Sequence, residues 1–389
     1  MTEYLRLVNE GSINIDKLIS RTYPISKVTE AFESLNSSDS KPLMVILDYA
    51  EPAGQNLSEY ENHDRKVILK SNQIKKNVIN IALIGAGNFA VGMHLPNITK
   101  LSDKYKLYAV MNKTGHKGKT VAQQYSANYV TTNYDDILND GNVDLIMITT
   151  RHDSHSNFAL KALEAGKNVL VEKPLAINKE QLEQVKSFLH GASNMPLLMV
   201  GFNRRFSKYA QKIKEQTDKR INPLFVHYRM NAGYVPFDHW THEDGGRIVG
   251  ECCHIIDLMT SFTGAKIKSI SFEEMTPRTG YFSNTDNKSI VLKYEDGSVA
   301  TIEYFAVGSK AFEKEYMEVH FDEKTIVMDD YKSLKGYGLE IEEITTRISQ
   351  KGHLEELERL YETLKGNNPK WPIELWDMIQ TTEVTLLLQ

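Results

Sequence analysis

Two short stretches of the chain hold residues whose types and spacing could bind and transform a small molecule. The first ends in the glycine pattern Gly85-Ala-Gly-Asn-Phe-Ala90, directly after an apolar run. The second is Glu172-Lys173-Pro174. A lysine placed after a buried strand and before proline can steer the proton of a reacting hydroxyl and stabilise the developing alkoxide. Together the two stretches indicate a nicotinamide-dependent oxidoreductase.

The glycine pattern lies between a predicted strand and a predicted helix, which is the context that a dinucleotide site requires. Gly85 would permit the tight turn, Gly87 would let the backbone approach the pyrophosphate, and Ala90 takes the place of the third glycine. The amides that begin the helix, at Asn88 and Phe89, would bind the phosphates. A plain strand–turn–helix corner is the alternative interpretation.

The end of the second predicted strand bears on the choice between NAD and NADP. A Rossmann domain that prefers NAD usually has an acidic residue there, about 20 residues beyond the glycines. Here Asn112 occupies the place, followed by Lys113 and Thr114. No carboxylate would repel a 2'-phosphate, although asparagine can also hold two free hydroxyls. We therefore expect NAD or NADP, with a slight preference for NADP.

The elements that would position these residues are alternating strands and helices. Apolar runs that predict strands lie at residues 79–84, 107–111, 145–149, 169–171 and 197–200, with helical stretches such as 157–165 and 179–189 between them. Buried parallel strands read as such continuous apolar runs. Residues 77–200 are therefore predicted to form an α/β Rossmann domain, a doubly wound parallel sheet.

After Gly201 the pattern changes to strands rich in β-branched and aromatic residues, joined by turn residues. They lie at 225–230, 267–272, 289–294, 299–305, 316–321 and 325–328, and one helix is predicted near 248–260. This alternation is typical of antiparallel hairpins. Residues 201–389 are thus predicted to form an α+β domain with a large, mostly antiparallel sheet, for substrate binding and oligomerisation.

From residue 78 to 389 the chain resembles the Gfo/Idh/MocA family of nicotinamide-dependent dehydrogenases. That family typically shows T-P-N-x-x-H, then a helix and G-K-H-V-x-x-E-K-P. This chain departs from the first motif at Arg151 and His152, which replace proline and asparagine. The resemblance rests on the runs Thr150 to His155, Gly166 to Val169, Glu172 to Pro174, Gly201 to Phe206, Gly245 to Ile248 and His254 to Asp257.

The resemblance implies that Lys173 lies beside the nicotinamide and the substrate hydroxyl, and that His254 is the general acid or base. The family often carries D-x-x-x-H-x-x-D, whose first aspartate binds substrate. Here Gly250 stands in that place, which bears on polyol selectivity more than on hydride transfer. A satisfied core histidine is the alternative for His254, and a solvated loop is the alternative for residues 150–155.

The sequence and the resemblance together define two sets of candidate binding residues. The cofactor set is Gly85, Gly87, Asn88, Phe89, Ala90, Asn112, Lys113, Thr150, His152, His155, Glu172, Lys173 and Asn203. The substrate set is Arg204, His239, Trp240, Arg247, Glu251 and Asp257. For the aromatic and polar cluster at 238–243, packing in the core or in a dimer is an equally good interpretation.

Two classes of function remain open. One is an NAD(P)-dependent dehydrogenase or reductase acting on a hydroxyl or keto carbon of a sugar, inositol or sugar-nucleotide substrate. The other is a non-catalytic dinucleotide-binding regulator or scaffold, because this fold serves both. Lys173 and His254 together favour the enzyme, and Gly250 is the argument against it. The resemblance also implies a homodimer or homotetramer formed through the C-terminal sheet.

Composition excludes other partners. The net charge of the 389-residue chain is −5, and no basic stripe indicates binding to nucleic acid or an anionic membrane. No signal peptide or membrane span is predicted. The two cysteines, Cys252 and Cys253, are adjacent, which favours a reducing cytoplasm. Neither CxxC pairs nor an HExxH motif is present, so no metal site is expected.

Residues 1–50 resemble the last segment of a zinc-type medium-chain alcohol dehydrogenase. The similar runs are Gly11 to Ile19, Tyr23 to Ile25, Glu30 to Phe32 and Lys41 to Leu47. A helix with apolar positions from Val28 to Leu35 and a strand at 44–47 are predicted here, followed by a linker at 51–76. Some Gfo/Idh/MocA proteins are fused behind such a dehydrogenase, and we expect a truncated fusion of this kind. The stretch 374–389 ends in an apolar run without a helix cap, which is also typical of a truncated chain.

Overall fold

The computed structural model describes residues 6–7, 9–35, 42–49, 65–70, 77–191, 195–243, 245–367 and 370–389. The chain divides into two compact units, Met1–Asp64 and Arg65–Gln389. Most of the predicted linker, residues 51–64 and 71–76, lies outside the described residues.

The first unit contains a parallel strand pair. Strands β1 (Ile19–Pro24) and β2 (Met44–Asp48) pair in parallel, and helix α1 (Val28–Leu35) lies between them in the chain. Parallel neighbours need a crossover connection, which usually includes a helix. The helix and strand that the sequence predicted in this segment are therefore confirmed.

The second unit begins with a seven-stranded sheet. Its strands are β3 (Lys66–Ile68), β4 (Ile79–Ile84), β5 (Tyr105–Met111), β6 (Tyr129–Thr131), β7 (Leu145–Ile148), β8 (Asn168–Val171) and β9 (Leu198–Val200). Their order is β3-β6-β5-β4-β7-β8-β9, and all neighbours are parallel except β3 and β6. The predicted doubly wound fold is confirmed.

One strand of this sheet was missed. The sequence assigned residues 66–68 to the linker, but β3 pairs antiparallel with β6 and extends the sheet edge. Its three residues, Lys66-Val67-Ile68, are too few to show a period, and an edge strand this short buries little apolar surface. Val67 and Ile68 remain exposed.

Helices cover the sheet and follow its strands. They are α2 (Leu95–Lys100), preceded by a π-helical stretch (Ala90–His94), α3 (Gly115–Gln124), α4 (Asp135–Leu138), α5 (His155–Glu164) and α6 (Lys179–Gly191). Strand β4 lies between β5 and β7: the chain adds β5 and β6 on one side of it and then β7, β8 and β9 on the other. Ligands of such sheets bind at the carboxyl ends of the strands beside this switch point.

The second sheet has eight strands in the order β11-β12-β13-β10-β14-β15-β16-β17. They are β10 (Phe225–Asn231), β11 (Ile267–Glu274), β12 (Asn287–Tyr294), β13 (Val299–Phe305), β14 (Glu315–Phe321), β15 (Lys324–Asp329), β16 (Ser333–Tyr337) and β17 (Ile344–Thr345). Only β10 and β13 pair in parallel among these described neighbours. The mostly antiparallel sheet is confirmed, and β16 and β17 are strands that the sequence did not reveal.

Four helices occur in this part of the chain: α7 (Lys208–Thr217), α8 (Cys253–Thr263), α9 (His353–Leu364) and α10 (Leu375–Leu387). A π-helical stretch (Ile248–Cys252) leads into α8. Helix α9 packs on the first sheet's core rather than on the second sheet. Its Leu357 and Leu360 are fully buried in that core, and the Tyr105 hydroxyl donates to the Leu357 carbonyl over 2.7 Å. The tail of the second predicted domain therefore completes the first.

Among the described residues, no helix is both long and apolar enough to cross a membrane.

Candidate functional site

The glycine turn lies at the carboxyl end of β4. Gly85 has φ +91°, and a Cβ atom there would lie 2.9 Å from Cγ2 of Thr150, so only glycine fits. At Gly87 the nearest atom to such a Cβ is 4.0 Å away, which leaves the backbone open to a ligand. The Val91 amide donates to the Gly87 carbonyl, so the helix starts here and its first amides have no partner within the helix.

This arrangement fits a dinucleotide pyrophosphate. Asn88 and Phe89 are the first residues after the turn, and Ala90 is fully buried, as the third position of the pattern requires. Phe89 is 44% exposed, and its ring lies edge-on to His94, with centroids 5.3 Å apart. The alternative of a plain corner accounts for the fold but not for the open approach at Gly87.

Asn112 follows β5 and holds the glycine turn. Its Oδ1 accepts from the Ala86 amide over 3.1 Å, and its Nδ2 donates to the Thr114 carbonyl over 2.9 Å. Lys113, the next residue, is exposed. The position therefore presents an amide and a cation beside the turn, in place of a carboxylate.

His155 joins two strand ends. Its Nδ1 lies 2.8 Å from the Pro174 carbonyl and its Nε2 lies 3.1 Å from the Thr150 carbonyl. Burial lowers the pKa of His155 despite these hydrogen bonds, so the ring is neutral near pH 7 and donates through one nitrogen. It thereby positions Thr150 beside the residues that follow β8.

Lys173 and His254 meet at Gly250. The Lys173–Pro174 peptide bond is cis, and the Lys173 ammonium donates to the Gly250 carbonyl over 2.7 Å. His254 stands one turn further along the helix and is 5% exposed. The sequence predicted these two as catalytic partners, and the structure brings them to one place.

The His254 ring is held neutral. Burial, followed by the positive charges of Arg204 and Lys173, lowers its pKa well below the usual value. Its buried Nδ1 has no hydrogen-bond partner among the described residues. A buried polar atom normally has one. A neutral imidazole with an unmet hydrogen bond beside an ammonium fits a bound hydroxyl.

Glu172 contacts the π-helical stretch that precedes α2. Its Oε1 lies 2.7 Å from Nε2 of His94. Burial opposes ionisation, but the hydrogen bond and charge of His94 lower the pKa of Glu172. A Cβ at Gly201 would lie 2.9 Å from the same carboxylate, so glycine is required there. His94 and Gly201 are site residues that the sequence analysis missed.

Three other candidates, Arg204, Asp257 and Asn203, are hydrogen-bonded to partners within the protein. The Arg204 guanidinium donates to both oxygens of Glu315, and Asp257 forms a buried pair with Arg205. Burying both charges is tolerated because each is paired. We no longer expect Arg204 or Asp257 to touch a substrate. Asn203, predicted to bind cofactor, is buried and donates to the Lys351 carbonyl over 2.7 Å.

Arg247 and Glu251 form a cluster on the outer side of the π-helical stretch. Glu251 accepts from the Tyr304 hydroxyl over 2.8 Å and pairs with Lys314 and Arg247. Burial opposes ionisation, yet the charges of Lys314 and Arg247 lower the pKa of Glu251 to about 2. These contacts tie the π-helical stretch to the second sheet and to the segment before β14.

Trp240 contacts His152, and His152 lies against Gly250, whose carbonyl accepts from Lys173. The Trp240 ring meets the His152 ring edge-on with centroids 5.0 Å apart, and the Arg151 guanidinium lies 5.6 Å from the Trp240 centroid. A Cβ on Gly250 would be 2.9 Å from Cε1 of His152, so the imidazole lies directly on the glycine. His239 is exposed and borders Trp240. No local pattern could reveal this contact, because it joins distant parts of the chain.

Two family models match this chain. The oxidoreductase family with an NAD-binding Rossmann fold, GFO_IDH_MocA, matches residues 79–218, and the GFO/IDH/MocA C-terminal domain matches residues 221–327. Together they cover more than half of the chain.

Curated relatives match the same region. Inositol 2-dehydrogenase 2 of Saccharopolyspora erythraea is 30% identical over 234 residues, which are 58% of this chain and 66% of that protein. The uncharacterized oxidoreductase YhhX of Escherichia coli is 38% identical over 195 residues, which are 48% of this chain and 54% of that protein. The chain thus spans less than two thirds of the length of these relatives.

Solved structures share the fold. Myo-inositol dehydrogenase from Lactobacillus casei, in complex with NAD(H) and myo-inositol, superposes with a TM-score of 0.65 at 18% identity, over 79% of this chain and 92% of that one. GenD2 from gentamicin A biosynthesis, in complex with NAD, superposes with a TM-score of 0.64 at 19% identity, over 82% and 95%. The chain, with both family domains in sequence and this fold, belongs to the Gfo/Idh/MocA oxidoreductase family.

Proposed function

We propose that the protein is an NAD(P)-dependent oxidoreductase that transfers hydride between the nicotinamide and a CH–OH carbon of a sugar, inositol or sugar-nucleotide substrate. The observation that carries this proposal is the convergence of Lys173 and His254 on Gly250, beside the end of β8. Relatives named as inositol dehydrogenases support the substrate class.

In the oxidative direction, the neutral His254 ring accepts the proton of the substrate hydroxyl, because its lowered pKa keeps it unprotonated at neutral pH. The Lys173 ammonium stabilises the developing negative charge on the oxygen. A dinucleotide held at the glycine turn after β4 would supply the hydride acceptor for the substrate carbon. In the reductive direction the same two groups return the proton to the carbonyl oxygen.

The amide and cation at Asn112 and Lys113 support a preference for NADP. Asn112 already uses its oxygen on the Ala86 amide and its nitrogen on the Thr114 carbonyl, so little remains to hold two free ribose hydroxyls. Lys113 is exposed next to it and can pair with a 2'-phosphate. Tighter binding of NADH than of NADPH in parallel fluorescence titrations would contradict this preference.

Turnover tests the proposal. Purified protein is mixed with NAD or NADP and a panel containing myo-inositol, neutral sugars, sugar acids and nucleotide sugars, and absorbance at 340 nm is followed. We expect at least one compound to be oxidised. Tight cofactor binding without any absorbance change in either direction would favour the non-catalytic regulator instead, for which the absent carboxylate at Gly250 is the supporting observation.

We propose that two copies pair through the second sheet. Phe225 on β10 is 51% exposed and Val291 on β12 is 37% exposed, on the face opposite the buried Ile290 and Leu292. Large exposed apolar side chains on a sheet face favour association. We expect Phe225→Glu with Val291→Glu to lower the mass measured by light scattering, and an unchanged mass would contradict this interface.

Residues 1–50 are proposed to derive from the end of a medium-chain dehydrogenase. The parallel pair β1 and β2 with α1 between them supports this interpretation.

Cytoplasmic location is also proposed, and the free, buried thiols of Cys252 and Cys253 support it.

A further inference from the structure

His152 lies where a side chain at position 250 would otherwise be. The ideal Cβ of Gly250 would come within 2.9 Å of Cε1 of the imidazole, a distance that real Cβ atoms do not tolerate. Gly250 has no positive φ, so backbone freedom does not explain the glycine. Its absent side chain makes room for the ring of His152.

Gly250 connects that ring to the two proposed catalytic residues. The carbonyl of Gly250 accepts from the Lys173 ammonium, and His254 follows one turn later. His152 and Lys173 therefore both contact Gly250. The 3₁₀ turn His152–Ser154 that carries the ring follows β7, after the three residues 149–151.

Trp240 also contacts the ring. It lies in the segment that follows β10, and its ring centroid is 5.0 Å from that of His152. Further along that segment, the Gln389 side chain donates to the Gly245 carbonyl over 2.9 Å. His152 thus contacts both Gly250 and Trp240 and is 7% exposed.

The neighbouring carboxylates are committed elsewhere. Glu172 is bound to His94, and Glu251 is bound to Lys314, Arg247 and Tyr304. Both carboxylates therefore already have partners within the protein. Imidazole can both donate and accept a hydrogen bond to a hydroxyl.

We propose that His152 is a substrate-contacting residue that sets specificity, with Gly250 making room for it and Trp240 forming the adjoining wall. This inference rests on the proposed function, and it reassigns His152 from the cofactor set to the substrate set. The pocket would take a polyhydroxylated ring whose hydroxyls bond to the imidazole and whose apolar edge lies on the indole.

A double-mutant cycle tests the proposal with the best substrate of the panel. His152→Ala and Gly250→Ala are each expected to lower kcat/KM by about tenfold or more, mainly through KM, with the cofactor dissociation constant nearly unchanged. In the His152→Ala background, Gly250→Ala should add less than about a twofold loss, because the ring it would displace is gone.

Controls separate the pocket from general damage. Gly141→Ala introduces a methyl with no atom within 4 Å, and His190→Ala removes an exposed histidine at the end of α6, so both should keep wild-type kcat/KM. Should Gly250→Ala fail to fold, His152→Asn and Trp240→Ala provide the same kinetic comparison. Melting temperatures of the four cycle proteins report the steric contact without any substrate.

Three outcomes overturn the proposal. Full additivity of the two losses would show that the residues act independently. An unchanged kcat/KM in His152→Ala would remove the substrate role, and an equal loss of cofactor affinity would return His152 to the cofactor set. The wild-type protein could bind NAD or NADP and yet neither turn over nor bind any panel compound by calorimetry. Both the proposed function and the substrate role of His152 would then fail. The melting temperatures of the cycle would still show whether His152 and a methyl at position 250 compete for the same space.

Discussion

At the scale of single residues, the site depends on which charged groups are paired and which are not. Arg204 and Asp257 are tied into buried ion pairs and Glu251 into a partly exposed one, whereas the buried Nδ1 of His254 has no partner among the described residues. Motif spacing named all of these residues as candidates. It could not tell structural pairs from reactive groups, because the partners Lys314 and Glu315 lie at the start of β14, far along the chain.

The neutral state of His254 predicts a pH profile. Its folded pKa lies well below 6.5, so the ring stays a competent base as the pH falls from 8 to 6.5. The oxidative kcat/KM should therefore show no loss from this group in that window, and should fall only at lower pH, when the ring becomes protonated. A loss with an apparent pKa near 6.5 that disappears in His254→Gln would contradict the lowered pKa of His254.

At the scale of elements, strand ends bring the site together. The turn after β4, the residues after β7 and β8, and the π-helical stretch before α8 all meet beside Gly250 or Gly85. The sequence predicted the central strands well, since buried parallel strands are continuous apolar runs. It missed β3, β16 and β17, which are short edge elements, and it could not foresee the π-helical geometry, which leaves no periodic signal.

A glycine between elements gives a second prediction. Gly201→Ala places a methyl 2.9 Å from the Glu172 carboxylate, and so disturbs the buried pair with His94. We expect the free energy of unfolding to fall by about 1–3 kcal/mol, as overpacking usually costs. Urea denaturation measures it, with Gly141→Ala as the matched glycine in open space. Equal stability of both variants would show that the carboxylate relaxes freely.

At the scale of the whole molecule, the proposed catalytic unit is Arg65–Gln389, and its first core is completed by α9. The domain boundary at residue 200 stays a prediction: the first sheet ends with β9 at Val200 and the second begins with β10 at Phe225, but α9 of the second part packs in the first core. A helix such as α9 has an ordinary amphipathic pattern. This pattern indicates that one face is buried, but not which sheet or helix that face packs against.

Separation of the two units predicts that residues 1–64 are dispensable for binding. A chain beginning at Arg65 should keep the cofactor dissociation constant of the full chain within about twofold, because every residue of the proposed cofactor site belongs to the second unit. Fluorescence titration with NADPH measures it. A large loss of affinity would show that the first unit supports the dinucleotide site.

Substitution of Lys173 tests the central claim most directly. With the best panel substrate, Lys173→Ala should lower kcat by about 10²–10⁴-fold, the usual contribution of a proton-handling group, while the dissociation constant for the dinucleotide stays nearly the same. An unchanged kcat in a folded, cofactor-binding Lys173→Ala protein would contradict the account.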